Sequence, residues 1–172
     1  MTPEEFWAIW QQSEPEVKPV TYRLYYNDHG DPLFYSTEDQ PGNYIEIDQE
    51  TFNASAWSIE TFWSEFSQRN RYYLALNDEN KELIGFGGIA FNGSDCDLQT
   101  MVIKKEHQGK GFGTKLLDEL LLKVSKQKSQ RVFLEVVSDN EKAINLYKSK
   151  NFQQVAKRAN YYPNGKDALI MQ

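Results

Sequence analysis

The residues whose spacing carries the most chemistry are Gln108-Gly109-Lys110-Gly111-Phe112-Gly113, followed by Thr114. They stand where a strand pattern over residues 97–104 gives way to a helical pattern over residues 114–128. Glycines at a strand-to-helix corner let successive backbone N–H groups converge on one concavity, and the helix dipole adds positive potential there. Such a corner binds phosphate. Gly111 and Gly113 have no Cβ, so a ligand can come close to the main chain; a plain glycine turn would carry the same letters. A P-loop is disfavoured, because the Gly-Lys-Ser/Thr ending is absent and Lys110 lies among the glycines instead.

Glu135 is the lone ionisable group in the apolar run Val132-Phe133-Leu134-Glu135-Val136. Partial burial there would raise its pKa and make it a better base; the alternative is a solvated glutamate on the open face of a strand. Tyr147 falls in a helical stretch with Ala143, Ile144 and Leu146. Its phenol keeps its proton at neutral pH and can act as an acid, or it simply sits at the rim of the core. Asn140 fits a helix N-cap. Cys96 has no identifiable partner base and reads as packing, and His107 as a solvated neighbour of the loop. Tyr161 and Tyr162 either line a groove or pack in a closing hairpin, and Trp7, Trp10, Trp57 and Trp63 read as core or interface.

The elements that must position these groups follow from periodicity. Residues 2–11 predict a short helix with Thr2 as N-cap and Pro3 in the first turn. Residues 20–26 and 32–35 predict a hairpin around Asn27-Asp28-His29-Gly30, and residues 44–47 a further strand. Ser58 caps a predicted helix carrying Ile59, Phe62, Trp63 and Phe66. Residues 72–76, 83–91 and 97–104 predict three consecutive antiparallel strands. The helix after the glycines gathers Leu116, Leu117, Leu120, Leu121 and Val124 on one face. A strand at residues 131–137 then lies parallel to residues 97–104. Asp139 or Asn140 opens a helix running to Lys150, and residues 152–156 and 168–171 form a closing antiparallel pair.

Composition narrows the class. The chain has 172 residues and a formal charge of −6, which argues against general nucleic-acid binding and suits a basic partner. Its single cysteine excludes an internal disulfide and fits a reducing cytoplasm, and with two histidines no His/Cys metal cluster can form. No apolar run reaches membrane-spanning length, and the acidic start Thr2-Pro3-Glu4-Glu5 is unlike a signal peptide. The expectation is a cytoplasmic protein, monomer or weak dimer, with no membrane or nucleic-acid partner and no metal.

Gln108, Gly111 and Gly113 match the Gln-x-x-Gly-x-Gly signature, and the chain resembles the GNAT N-acetyltransferase superfamily. Within it, Leu134-Glu135-Val136, Asn140, Ala143, Leu146-Tyr147, Phe152, Asn160-Tyr161-Tyr162-Pro163 and Asp167-Ala168 through Met171 look like the bacterial ribosomal-protein-alanine N-acetyltransferases (RimI type). The resemblance covers residues 48–172, read as the N-acetyltransferase domain. Residues 1–47 match nothing in it; they replace the family's first strand, form an appendage, or are a foreign fusion. Two positions depart from the family pattern: Lys150-Asn151 stand where a glycine usually precedes the phenylalanine, and Ala56 stands where a proline is common before Trp57.

The resemblance implies an α/β fold: a mixed, mainly antiparallel twisted sheet flanked by helices, with the cofactor where the two central strands splay apart. It implies acetyl-CoA as co-substrate, its pyrophosphate held by the amides of Gly109, Lys110, Gly111, Phe112, Gly113 and Thr114, with Gln108 in the same signature. The main chain of Met101, Val102 and Ile103 would run beside the pantetheine, and Asn140 would hydrogen-bond the cofactor. Glu135 is then the general base and Tyr147 the general acid. The implied acceptor is a protein N-terminus, best matched by the N-terminal alanine of a small-subunit ribosomal protein. Another N-terminus, a lysine or a small-molecule amine are alternatives, as is a non-catalytic acyl-CoA-binding adaptor.

Overall fold

A computed structural model describes residues 21–26, 32–37, 41–53, 56–66, 68, 70–78 and 82–172. The predicted helix over residues 2–11, with Trp7 and Trp10, lies outside the described residues, as does the turn holding His29. In chain order the elements are β1 (Thr21–Tyr26), β2 (Pro32–Thr37), α1 (Pro41–Phe52), α2 (Ile59–Phe66), β3 (Arg71–Asn77), β4 (Leu83–Asn92) and β5 (Asp95–Ile103). There follow α3 (Phe112–Lys126), β6 (Arg131–Val137), α4 (Glu141–Ser149), β7 (Gln154–Arg158) and β8 (Ala168–Met171). The strands form one sheet in the order β2-β1-β3-β4-β5-β6-β8-β7. Its neighbours are antiparallel except β1 with β3 and β5 with β6. This is the mixed, mainly antiparallel sheet expected, and the β1–β2 hairpin extends it beside β3 instead of standing apart from it.

One predicted strand is a helix. Residues 44–47, Tyr-Ile-Glu-Ile, are too short a run to separate a period of 2 from one of 3.6. Pro41 supplies a helix-compatible φ at the first position. Ile47 and Asp48 are then buried while Gln49 and Glu50 are exposed, a helical rhythm. Helix α1 therefore runs unbroken across residues 47 and 48.

Two cores sandwich the sheet. Leu116, Leu117, Leu120 and Val124 of α3 join Leu74, Leu98, Leu134, Ile144 and Phe152 on one face. Ile47, Phe62, Tyr73, Ala75, Phe86 and Val102 fill the space on the α1–α2 face. Each fully buried aliphatic contributes about 1.5–3 kcal/mol, so the sheet is held from both sides. A side chain at Gly87 would put its Cβ 2.6 Å from Leu120 Cδ1, so this glycine lets α3 lie close on β4. The single cysteine, Cys96, is free and fully buried in the first core, and burial pushes its thiol up to about 11.

Strand β5 changes face part-way along. Gly88 pairs with Thr100 and Ile89 with Leu98, leaving Gln99 as one extra residue on β5. Because side chains alternate with a period of 2, one inserted residue inverts everything beyond it. Cys96 and Leu98 accordingly face the α3–α4 core, yet Val102 faces the α1–α2 core and Ile103 the first core again. The parallel pairing with β6 stops at the same place, at Leu98 opposite Leu134. From there the two central strands part.

Candidate active site

The wedge between β5 and β6 opens into two adjoining cavities. The larger, about 560 Å3, is lined on the α2 side by Thr61, Glu65, Asp97, Phe133, Arg158 and Tyr161 among others. The smaller, about 140 Å3, includes Asp48, Phe52, Thr100, Met101, Asn140, Ala143, Tyr147 and Tyr162 in its lining. Trp57, Leu98, Gln99 and Glu135 belong to both, so the cavities meet at the point where the strands separate. The Tyr73 hydroxyl holds the Gln99 amide oxygen at 3.3 Å, fixing the bulge residue.

Glu135 stands at that meeting point, on the more open face of β6. Leu134 and Val136 are buried, but alternation turns Glu135 to the opposite face, where its side chain keeps 34% exposure. Its Oε1 accepts a hydrogen bond from Arg158 Nη1 at 2.7 Å. A hydrogen bond with Glu135 also raises the phenol of Tyr161 above its ordinary range. The apolar run concealed this because Arg158 comes from β7, two strands away.

Tyr147 is 7% exposed, and its phenol is pushed up to about 12 by burial, then by Tyr162. Its position is set by how α4 ends. Phe152 N donates to Tyr147 O at 3.1 Å and Asn151 N to Lys148 O at 3.0 Å, the paired bonds of a Schellman cap. Asn151 has φ of 69°, the left-handed conformation that asparagine tolerates best after glycine. The family's missing glycine is thus replaced by a residue able to do the same work. The Phe152 ring meets Tyr147 edge-on at 5.9 Å, closing the cap and seating the phenol in the smaller cavity. At the other end of α4, Asn140 Oδ1 accepts from Ala143 N at 3.2 Å, an N-cap contributing about 1 kcal/mol.

The glycine loop lies beyond the end of β5 and lines neither cavity. Gln108 Nε2 donates to Ile103 O at 3.0 Å, so this side chain ties the loop to the strand. Gly109 and Gly111 have φ of 74° and 84°, and a Cβ on either would meet nothing within 4 Å. Open space therefore faces the main chain. Gly111 is the N-cap of α3 and provides no side-chain cap, and the first turn closes as Lys115 N donates to Gly111 O. A Cβ on Gly113 would make ordinary contact with Leu146 at 3.6 Å, which brings the loop against α4. Lys110 is exposed. His107, expected to be solvated, is half-buried edge-on against Phe112. The helix begins at Phe112, two residues earlier than predicted, and gives out at Gln127 with Lys128 at φ of 57°.

Val102 and Ile103 bury their side chains in the two cores, so only their main chain is available to a ligand; Met101 also lines the smaller cavity. This geometry suits a long, phosphate-ended thioester. Amides at the loop would face the phosphates, the unpaired stretch of β5 would face the arm, and Glu135 and Tyr147 would face the reacting end.

Four contributors escaped the sequence reading. Trp57 lines both cavities, with its ring against Phe62 at 5.2 Å. Gln99 is the bulge. Arg158 pairs with Glu135, and its guanidinium lies 5.4 Å from the Tyr161 ring. Asp48 is 1% exposed; its Oδ2 accepts from Trp57 N at 2.7 Å, and burial pushes its carboxyl up to about 6. Ala56, standing where a proline is common, donates its N–H to Asn53 O at 3.1 Å, a bond proline could not make. Asp167 Oδ1 accepts from Asn160 N at 2.9 Å and its Oδ2 pairs with Lys157 at 2.6 Å. That fastening holds the turn carrying Tyr161 and Tyr162 over the cleft, so both tyrosines line cavities.

The profile of the Acetyltransferase (GNAT) family matches residues 41–152. An uncharacterized protein of Mycobacterium leprae is 28% identical over 92% of this chain, which spans 44% of that protein's length. The ribosomal protein bS18-alanine N-acetyltransferase of Escherichia coli K12 is 32% identical over 138 residues, 78% of this chain and 90% of that one. The crystal structure of the Escherichia coli ribosomal-protein-S18-alanine N-acetyltransferase superposes with a TM-score of 0.68 at 29% identity, covering 75% of this chain and 83% of that one. Profile, sequence and architecture agree: the chain belongs to the GNAT family and carries an N-acetyltransferase domain.

Proposed function

We propose that this protein transfers the acetyl group of acetyl-CoA to the α-amine of a protein N-terminus, and that the acceptor is the N-terminal alanine of a small-subunit ribosomal protein. The observation that carries the reading is Glu135 and Tyr147 lining one small cavity at the point where β5 leaves β6. Acetyl-CoA supplies the thioester carbonyl. The amides of residues 109–114 hold its phosphates, and a main-chain N–H among residues 101–103 polarises the carbonyl. Glu135 takes the proton of an amine whose reference pKa is about 8, directly or through one water.

Tyr147 faces the departing sulfur. With its phenol near 12 and a thiol near 8.5, full transfer to a thiolate runs uphill, so the phenol contributes chiefly a hydrogen bond to the developing charge. The choice of alanine rests on the acceptor named for the Escherichia coli relative and on the size of the inner cavity, which favours a small first residue. The test is mass spectrometry of a peptide library, with varied first residues, after incubation with acetyl-CoA. Acetylation of alanine-first peptides is the expected result. Modification confined to lysine side chains or small amines would overturn the acceptor assignment.

A further inference from the structure

Asp48 is a buried carboxylate with one oxygen unanswered. Oδ2 is engaged by Trp57 N, while Oδ1 is buried and has no hydrogen-bond partner among the described residues. Asp48 is among the residues lining the smaller cavity, together with Glu135, Tyr147 and Tyr162. Among the described residues lining that cavity none is basic. The two carboxylates are therefore unequal: Glu135 is matched by Arg158, and Asp48 by no cation among the described residues. An uncompensated buried carboxylate is costly, and folds keep such costs where a ligand removes them.

We infer that Asp48 is an acceptor-binding residue, its Oδ1 receiving a hydrogen bond from the α-ammonium of the incoming N-terminus. The inference rests on the proposed N-terminal acetylation and adds to it the group that captures the amine. An ammonium offers several donors. One engages Asp48 and another is left for Glu135 to deprotonate, so the amine is aimed before it loses its charge. A peptide whose first amine is blocked has no such cation.

Asp48→Asn separates this role from a structural one. The amide oxygen can still accept from Trp57 N, while the –NH2 group replaces the free oxygen with a donor. The expected result is a peptide KM raised at least tenfold, kcat changed less than threefold, and an unchanged acetyl-CoA Kd. The melting temperature of the ligand-free variant should rise, since a charge lacking a counterion has been removed. An unchanged peptide KM, or a lower melting temperature with kcat and KM falling together, would show that Asp48 only holds Trp57 and would overturn the inference.

A second measurement needs no variant. In the presence of coenzyme A, calorimetry should show the wild-type protein binding an alanine-first peptide at least tenfold more tightly than the same peptide N-acetylated; equal affinities would sink the role of Asp48. If the wild type binds the free peptide selectively but acetylates no N-terminus, the functional reading fails while the inference about Asp48 stands.

Discussion

On the α3–α4 face the candidate site is built from main chain and from residues close together in sequence. The glycine loop, the cap of α4 and the Tyr147–Phe152 contact each lie within one short segment. On the α1–α2 face it is built from side chains that meet only in three dimensions: Asp48, Trp57, Gln99 and Arg158 come from α1, the connection to α2, β5 and β7. The difference reflects the two tasks. A phosphate-ended cofactor is recognised by amides that every residue carries, so local geometry suffices. An acceptor end needs particular charges at particular places, and these arise from packing.

Removing the main-chain half should have the largest effect. Gly111→Leu is expected to abolish acetyl-CoA binding in calorimetry, because the side chain projects into the open space before the loop. The left-handed φ adds about 1–2 kcal/mol of strain. Gly111→Asn tolerates that φ and separates strain from obstruction: restored folding without binding supports the loop assignment, and wild-type affinity in both variants would remove it.

Glu135→Gln should lower kcat/KM by about 10²–10³, within the range for lost general-base catalysis, leaving acetyl-CoA affinity within twofold. Wild-type turnover across neutral and alkaline pH would take Glu135 out of the mechanism. For Tyr147→Phe a roughly tenfold fall in kcat is expected, consistent with one lost hydrogen bond of about 1–2 kcal/mol to a charged group. The Phe152 contact should survive, so thermal stability changes little; an unaltered kcat would return the tyrosine to packing.

A smaller effect sharpens the acceptor side. The folded-state carboxyl of Asp48 is raised from 3.8 to about 6, so the native state binds its proton more tightly than the unfolded chain. Its contribution to stability is therefore fully present below about pH 4 and is lost as pH rises to 6, by at most about 3 kcal/mol at 1.36 kcal/mol per unit. Wild-type stability should fall relative to Asp48→Asn across that window in chemical denaturation at several pH values. Glu135 lines the same cavity and is common to both proteins, and Tyr147 and Tyr162, each near 12, do not titrate there. Parallel pH curves would contradict the burial of an ionisable Asp48.

Arg158→Met should change least. The pair with Glu135 is partly exposed, so stability should move by less than about 1 kcal/mol. A several-fold rise in peptide KM is expected because Tyr161 loses its cationic neighbour. A loss as large as that of Glu135→Gln would mean that Arg158 takes part in proton transfer itself.

Local sequence determined the regular elements of residues 58–172, the glycine corner and the N-cap of α4, because periodicity, caps and turn residues act over a few positions; Glu135 and Tyr147 came together as base and acid only through the family resemblance. Residues 44–47, expected as a strand, are helical, because so short a run cannot distinguish strand from helix, and the apolar neighbours of Glu135 in sequence gave no sign of the Arg158 pairing on its own face. Only the tertiary structure decided that Gln99 is an inserted residue, that β5 and β6 part there, and that Arg158 answers Glu135 while Asp48 is left with one oxygen open. Those facts depend on register and on contacts between distant segments, which no short-range pattern encodes.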